Sequence, residues 1–67
     1  MITISLNGED RTVKPGTTLA ALVADLSDDP RGIAIERNRA IVPKSRHGDT
    51  VLEHGDTLEI VQFVGGG

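Results

Sequence analysis

Apolar and polar positions alternate from the start of the chain, with Ile2, Ile4 and Leu6 separated by Thr3 and Ser5. A period of two with β-branched residues predicts a strand buried on one face. Asn7-Gly8 follows at once, and both residue types accept the positive φ of a type I′ hairpin. The chain is therefore predicted to return through 9–13 as a second strand, ended by Pro15-Gly16. The period then changes. Leu19, Leu22, Val23 and Leu26 recur at i, i+3, i+4 and i+7, which puts four apolar side chains on one helical face. Ala20, Ala21 and Ala24 fill that segment with strong helix formers, and Thr17 or Thr18 is placed to cap it. Asp28, Asp29, Pro30 and Gly32 mark its end.

Alternation resumes with Ile33 and Ile35 against Ala34 and Glu36, a third strand. Asn38 sits in a turn, and Ala40–Val42 forms a short fourth strand stopped by Pro43. Lys44 to Gly48 reads as a polar loop, after which Val51 and Leu52 are expected to tuck under the sheet. Gly55-Asp56 is a turn signal before a last strand over 57–63. Leu58 and Ile60 point inward on it, and Glu59, Val61 and Phe63 point to the other face. The order β-β-α-β-β-β predicts an α+β domain with one helix packed across a mixed five-stranded sheet, the last strand parallel to the first. This is the ubiquitin-like β-grasp arrangement. It occupies residues 1–64, with Gly65-Gly66-Gly67 as a flexible tail.

Composition narrows the function. A chain of 67 residues makes one domain and buries only ~60% of its unfolded surface. With no Trp or Tyr and a single Phe, the core must be aliphatic, and an enclosed active site is hard to accommodate. The net charge of −3 argues against a general phosphate binder. Arg37, Arg39, Lys44, Arg46 and His47 form a local basic stretch, read as a solvated loop. It lacks the interleaved aromatics that stack bases, so no nucleic acid is expected as a partner. The absence of cysteine excludes disulfides, thiolate metal sites and a cysteine nucleophile. His47 and His54 lack an evident third ligand, so no metal site is expected. Asp28-Asp29 reads as a helix-terminal loop, and Ser27 and Ser45 have no base partner. No catalytic residue is therefore assigned. Apolar runs such as 19–24 are too short to span a bilayer, and no basic start precedes a long apolar stretch. No membrane association and no signal peptide are expected, and the cytoplasm is the expected location.

The remaining chemistry lies in the tail. Glycines lack a Cβ, so the backbone there is thin enough to enter a channel that a side chain would block. The tip carries the Gly67 carboxylate, ionised near neutrality. A carboxylate is a poor electrophile until an enzyme adenylates it with ATP. Val61 and Phe63, outward by parity and beside the tail, are candidates for an interface anchor.

Several segments together carry a family resemblance. They are Asn7-Gly8; Gly16-Thr17-Thr18-Leu19 with Leu22; Ile33-Ala34-Ile35-Glu36-Arg37-Asn38; Ile41-Val42-Pro43-Lys44-Ser45; Gly55-Asp56 with Leu58-Glu59-Ile60-Val61; and Phe63-Val64-Gly65-Gly66-Gly67. In this order and length the chain resembles the sulfur carrier proteins of thiamine biosynthesis, the ThiS family. The resemblance implies that Gly67 is adenylated by an E1-like adenylyltransferase and converted to a thiocarboxylate with a sulfur-donating enzyme. Sulfur then passes to thiazole synthase. It implies that Gly65 and Gly66 thread into the partner and that Val61, Phe63 and Val64 dock on it. No cofactor is bound, and ATP is consumed by the activating enzyme. It further implies packing or partner contact for His47. The protein is then a carrier and not an enzyme. A molybdopterin-type sulfur carrier, a ubiquitin-like protein modifier and a non-catalytic β-grasp binding module are the alternatives.

Overall fold

Strands β1 (Ile2–Leu6) and β2 (Glu9–Val13) form an antiparallel hairpin in which Ile2 faces Val13 and Leu6 faces Glu9. Helix α1 (Leu19–Leu26) follows, then β3 (Ile33–Arg37), β4 (Ala40–Val42) and β5 (Thr57–Gln62). The structure is a computed structural model and describes residues 1–27 and 32–62. The sheet order is β2-β1-β5-β3-β4. β1 and β5 are parallel, while β3 pairs antiparallel with both β5 and β4. The last strand thus enters the middle of the sheet, between the first and third, as the alternation of apolar residues predicts.

One face of this sheet carries the core. Ile4, Leu19, Ile35 and Leu58 are fully buried, and Leu22, Val23 and Leu52 are nearly so. Each contributes roughly 1.5–3 kcal/mol by leaving water. Ile2, Leu6, Val13, Ile33, Val42 and Ile60 pack around them, partly buried. Of the two candidate caps, Thr18 fills the role: its hydroxyl accepts from the Ala21 N–H at 3.1 Å. The Thr17 hydroxyl instead donates to the Lys14 carbonyl at 2.7 Å.

Three expectations change in detail. Leu26 is 39% exposed. It shares the angular position of Leu19, but it is the last residue of an eight-residue helix, so it lies at the margin of the contact. Val51 is also exposed while Leu52 is buried. Residues 50–52 are extended and bonded to 17–19, through Leu19 N–H to Thr50 O and Leu52 N–H to Thr17 O. Successive side chains of an extended segment point opposite ways, so only one of the two can face the core. Finally, the segment after Pro43 is not a featureless polar loop. Lys44–Arg46 is a 3₁₀ turn that carries His47 into the protein, where it is buried with Nε2 3.0 Å from the Val42 carbonyl oxygen. A ring nitrogen at that distance from a carbonyl is a donor, so Nε2 bears the proton.

Candidate functional site

The tail leaves from β5, so the site begins with what holds that strand. Both hairpin turns grip it through an asparagine. At the β1–β2 turn Asn7 and Gly8 have φ of +50° and +84°, the double positive φ that a type I′ turn requires. This turn aims the Asn7 amide across the parallel seam. Its Oδ1 accepts from the Ile60 N–H at 2.7 Å and its Nδ2 donates to the Ile60 carbonyl at 3.2 Å. A side chain thereby continues the ladder where β1 has already turned away. At the β3–β4 turn Asn38 and Arg39 have φ of +51° and +72°. The Asn38 Oδ1 accepts from the Thr57 N–H at 2.9 Å, and the Asn38 N–H donates to the Thr57 carbonyl at 2.8 Å.

Asp56 secures the entry to β5. It is 5% exposed and accepts from Arg37 Nε at 2.9 Å, Asn38 Nδ2 at 3.1 Å and the Glu53 backbone N–H at 2.9 Å. Burial by itself pushes its carboxyl up. The Glu53 N–H, the Arg37 guanidinium and the Asn38 amide outweigh that and hold it below the ordinary carboxylate range. Arg37 is thus a structural partner rather than part of a free basic stretch. The remaining clamps lie along the strand itself: β5 pairs with β3 from Arg37↔Leu58 to Ile33↔Gln62. The backbone is fixed to Gln62, the residue from which the tail continues.

The assigned residues divide at that point. Val61 is 53% exposed on the face turned away from the helix. Phe63, Val64, Gly65, Gly66 and Gly67 lie outside the described residues, as do Asp28 and Asp29. On the helix side, Val23, Ala24, Ser27, Ile33, Lys44 and His47 line an open groove of about 490 Å³. Both histidines hold backbone: His47 as described, and His54 through Nδ1, which accepts from the Thr3 N–H at 3.0 Å. Among the described residues no three metal-ligating side chains converge. No helix among them is long and apolar enough to cross a membrane. Asn7, Asn38, Asp56 and Arg37 were not assigned roles from sequence. Their bonds span 18 to 53 residues, so no local pattern marks them.

A helix over one face of a mixed five-stranded sheet, with a parallel central pair and a terminal strand leading out to glycines, defines the ubiquitin-like β-grasp class. The crystal structure of the thiamine biosynthesis protein ThiS from Geobacter metallireducens shares this fold. Its TM-score is 0.82 at 23% identity, covering 98% of this chain and 100% of that one. The ThiS family model matches residues 4–67. The sulfur carrier protein ThiS of Bacillus subtilis is 38% identical over 65 residues, 96% of this chain and 98% of the relative. The chain belongs to the ThiS family. A thiazole synthase of Paramagnetospirillum magneticum is 47% identical over 62 residues, 92% of this chain. The chain spans about a fifth of the length of that relative, and the same is true of a thiazole synthase from Magnetococcus marinus.

Proposed function

We propose that the protein carries sulfur for thiazole formation as a thiocarboxylate on Gly67, acting as a substrate of other enzymes and not as a catalyst. The observation that carries this reading is the family match, which runs through residue 67 and so includes the glycine tail. The fold adds a physical reason. The base of the tail is a central strand tied on both sides, so docking the domain fixes the point from which the tail reaches. From Gln62 to Gly67 the backbone can extend at most about 18 Å.

In the first step a Gly67 carboxylate oxygen attacks the α-phosphorus of ATP in an E1-like adenylyltransferase and pyrophosphate leaves. The carbonyl carbon of the acyl adenylate is now electrophilic. Sulfur at the oxidation level of sulfide, supplied by a sulfur-donating enzyme, displaces AMP and leaves the thiocarboxylate. Gly65 and Gly66 let the backbone pass where a Cβ would not. Val61, Phe63 and Val64 contact the partner as the tail enters. The thiazole synthase is the acceptor. Support for that comes from relatives in which a segment like this chain is part of a longer thiazole synthase. Covalent linkage raises the effective concentration of two modules that work together.

The test is ATP–pyrophosphate exchange with the activating enzyme, using wild-type protein and a Gly67 deletion. One residue fewer shortens the reach by up to ~3.5 Å, and a misplacement of ~1 Å can cost on the order of 100-fold in rate. The deletion should therefore abolish exchange with its circular dichroism unchanged. Mass spectrometry of the loaded wild type should show one oxygen exchanged for one sulfur at the terminus. Exchange at the wild-type rate by the folded, shortened chain would refute the reading.

A further inference from the structure

The face of the sheet turned away from α1 is unpartnered, and its β5–β3–β4 half has a chemistry of its own. The register sets Glu36 of β3 directly opposite Glu59 of β5. On its other side Glu36 is paired with Ile41 of β4. Two residues along the same face, Ala34 stands opposite Val61. Both glutamates are exposed, and so are Ile41, at 73%, and Val61. The other half of this face is different, built from Thr3, Ser5 and Thr12 with Asp10 at its edge.

Two like charges directly opposed in an antiparallel pair, with Cβ atoms about 5 Å apart, oppose folding. Nothing in the fold relieves this pair. The ion pairs among the described residues use Glu53, Asp56 and Asp49, and neither Glu36 nor Glu59 has a hydrogen bond to a side chain. Two exposed aliphatic residues beside two unneutralised carboxylates serve neither the core nor solubility together.

We infer that this half-face docks a protein partner whose matching patch presents arginine or lysine side chains set between apolar ones, with the Glu36–Glu59 pair steering and registering it. The inference rests on the proposed carrier function, in which that partner is the E1-like adenylating enzyme. Charge selects this occupant. A second copy of the chain laid face to face would bring four carboxylates together on a protein of net charge −3. Nucleic acid and an anionic membrane would be repelled. Position selects it as well: β5 runs from Glu59 through Val61 to Gln62 and on into the tail. A partner seated here holds the strand whose continuation it must receive.

The experiment compares wild type, Glu36→Gln/Glu59→Gln and Glu36→Lys/Glu59→Lys, as full chains, in stopped-flow association with the adenylating enzyme and in ATP–pyrophosphate exchange. The glutamine variant should fold with an unchanged or higher Tm, because a repulsion is removed. Its association rate at low ionic strength should fall about tenfold, and its dependence on salt should flatten. The lysine variant should lose detectable association. A folded glutamine variant that associates at the wild-type rate with the wild-type salt dependence overturns the inference while leaving the carrier function intact. Failure of the wild type itself to be adenylated overturns the carrier function and this inference with it. Self-association of the wild type that Ile41→Ser abolishes gives the face to a second copy and also overturns it.

Discussion

Asp56→Ala removes one carboxylate and leaves three donors behind. The Arg37 guanidinium, the Asn38 amide and the Glu53 N–H all lose their acceptor at a position 5% exposed. Breaking a buried charge pair costs roughly 3–5 kcal/mol. The Arg37 side chain keeps 27% exposure and can rehydrate, which sets the expected loss at the lower end, about 3 kcal/mol. Stability for a chain of this length is of order 3–10 kcal/mol, so the variant sits near the edge of folding. Its Tm should fall by roughly 12–24 °C, at about 4–8 °C per kcal/mol for a domain this small. Asp56→Asn should cost less, since it keeps the shape and one acceptor oxygen. It also isolates the charge. The folded-state pKa of Asp56 is depressed, so its contribution is complete above the unfolded carboxylate value of ~3.9 and is lost as pH falls through the folded value. Urea unfolding at a series of pH values should show a decline at the acid end for wild type that is shallower for Asp56→Asn. A loss below about 1 kcal/mol in Asp56→Ala, or identical acid limbs in wild type and Asp56→Asn, would refute the account of how β5 is anchored.

Two further substitutions probe the frame. Leu22→Asp puts a charge at a position 2% exposed and should unfold the domain, since burying an unpaired carboxylate costs several kcal/mol; retention of the wild-type thermal transition would show that the helix packs by another face. Arg39→Gly should raise stability by up to about 1 kcal/mol, because Arg39 holds a φ of +72° that glycine adopts without strain; a lower urea midpoint for the variant would mean that the arginine side chain stabilises the turn.

What the sequence determined was whatever depends on period and on local chemistry. Alternation at Ile2–Leu6 and Ile33–Arg37, the helical spacing of Leu19, Leu22 and Val23, and the positive-φ pair Asn7-Gly8 each specify an element within a few residues. A parallel β1–β5 pair follows from joining them around one helix. The glycine tail, too, is legible as sequence, because its chemistry lies in the lack of side chains. Tertiary structure decided the rest. Exposure of Leu26 and Val51 depends on where the helix runs past the sheet and on how 50–52 pairs with 17–19. His47 is buried because a single 3₁₀ turn swings it inward. Asn7 and Asn38 read locally as turn formers, and only the assembled sheet brings their amides to Ile60 and Thr57. The opposition of Glu36 and Glu59 is likewise a product of register. Contacts between residues dozens of positions apart leave no periodic trace in the chain, so they become visible only once the strands are side by side.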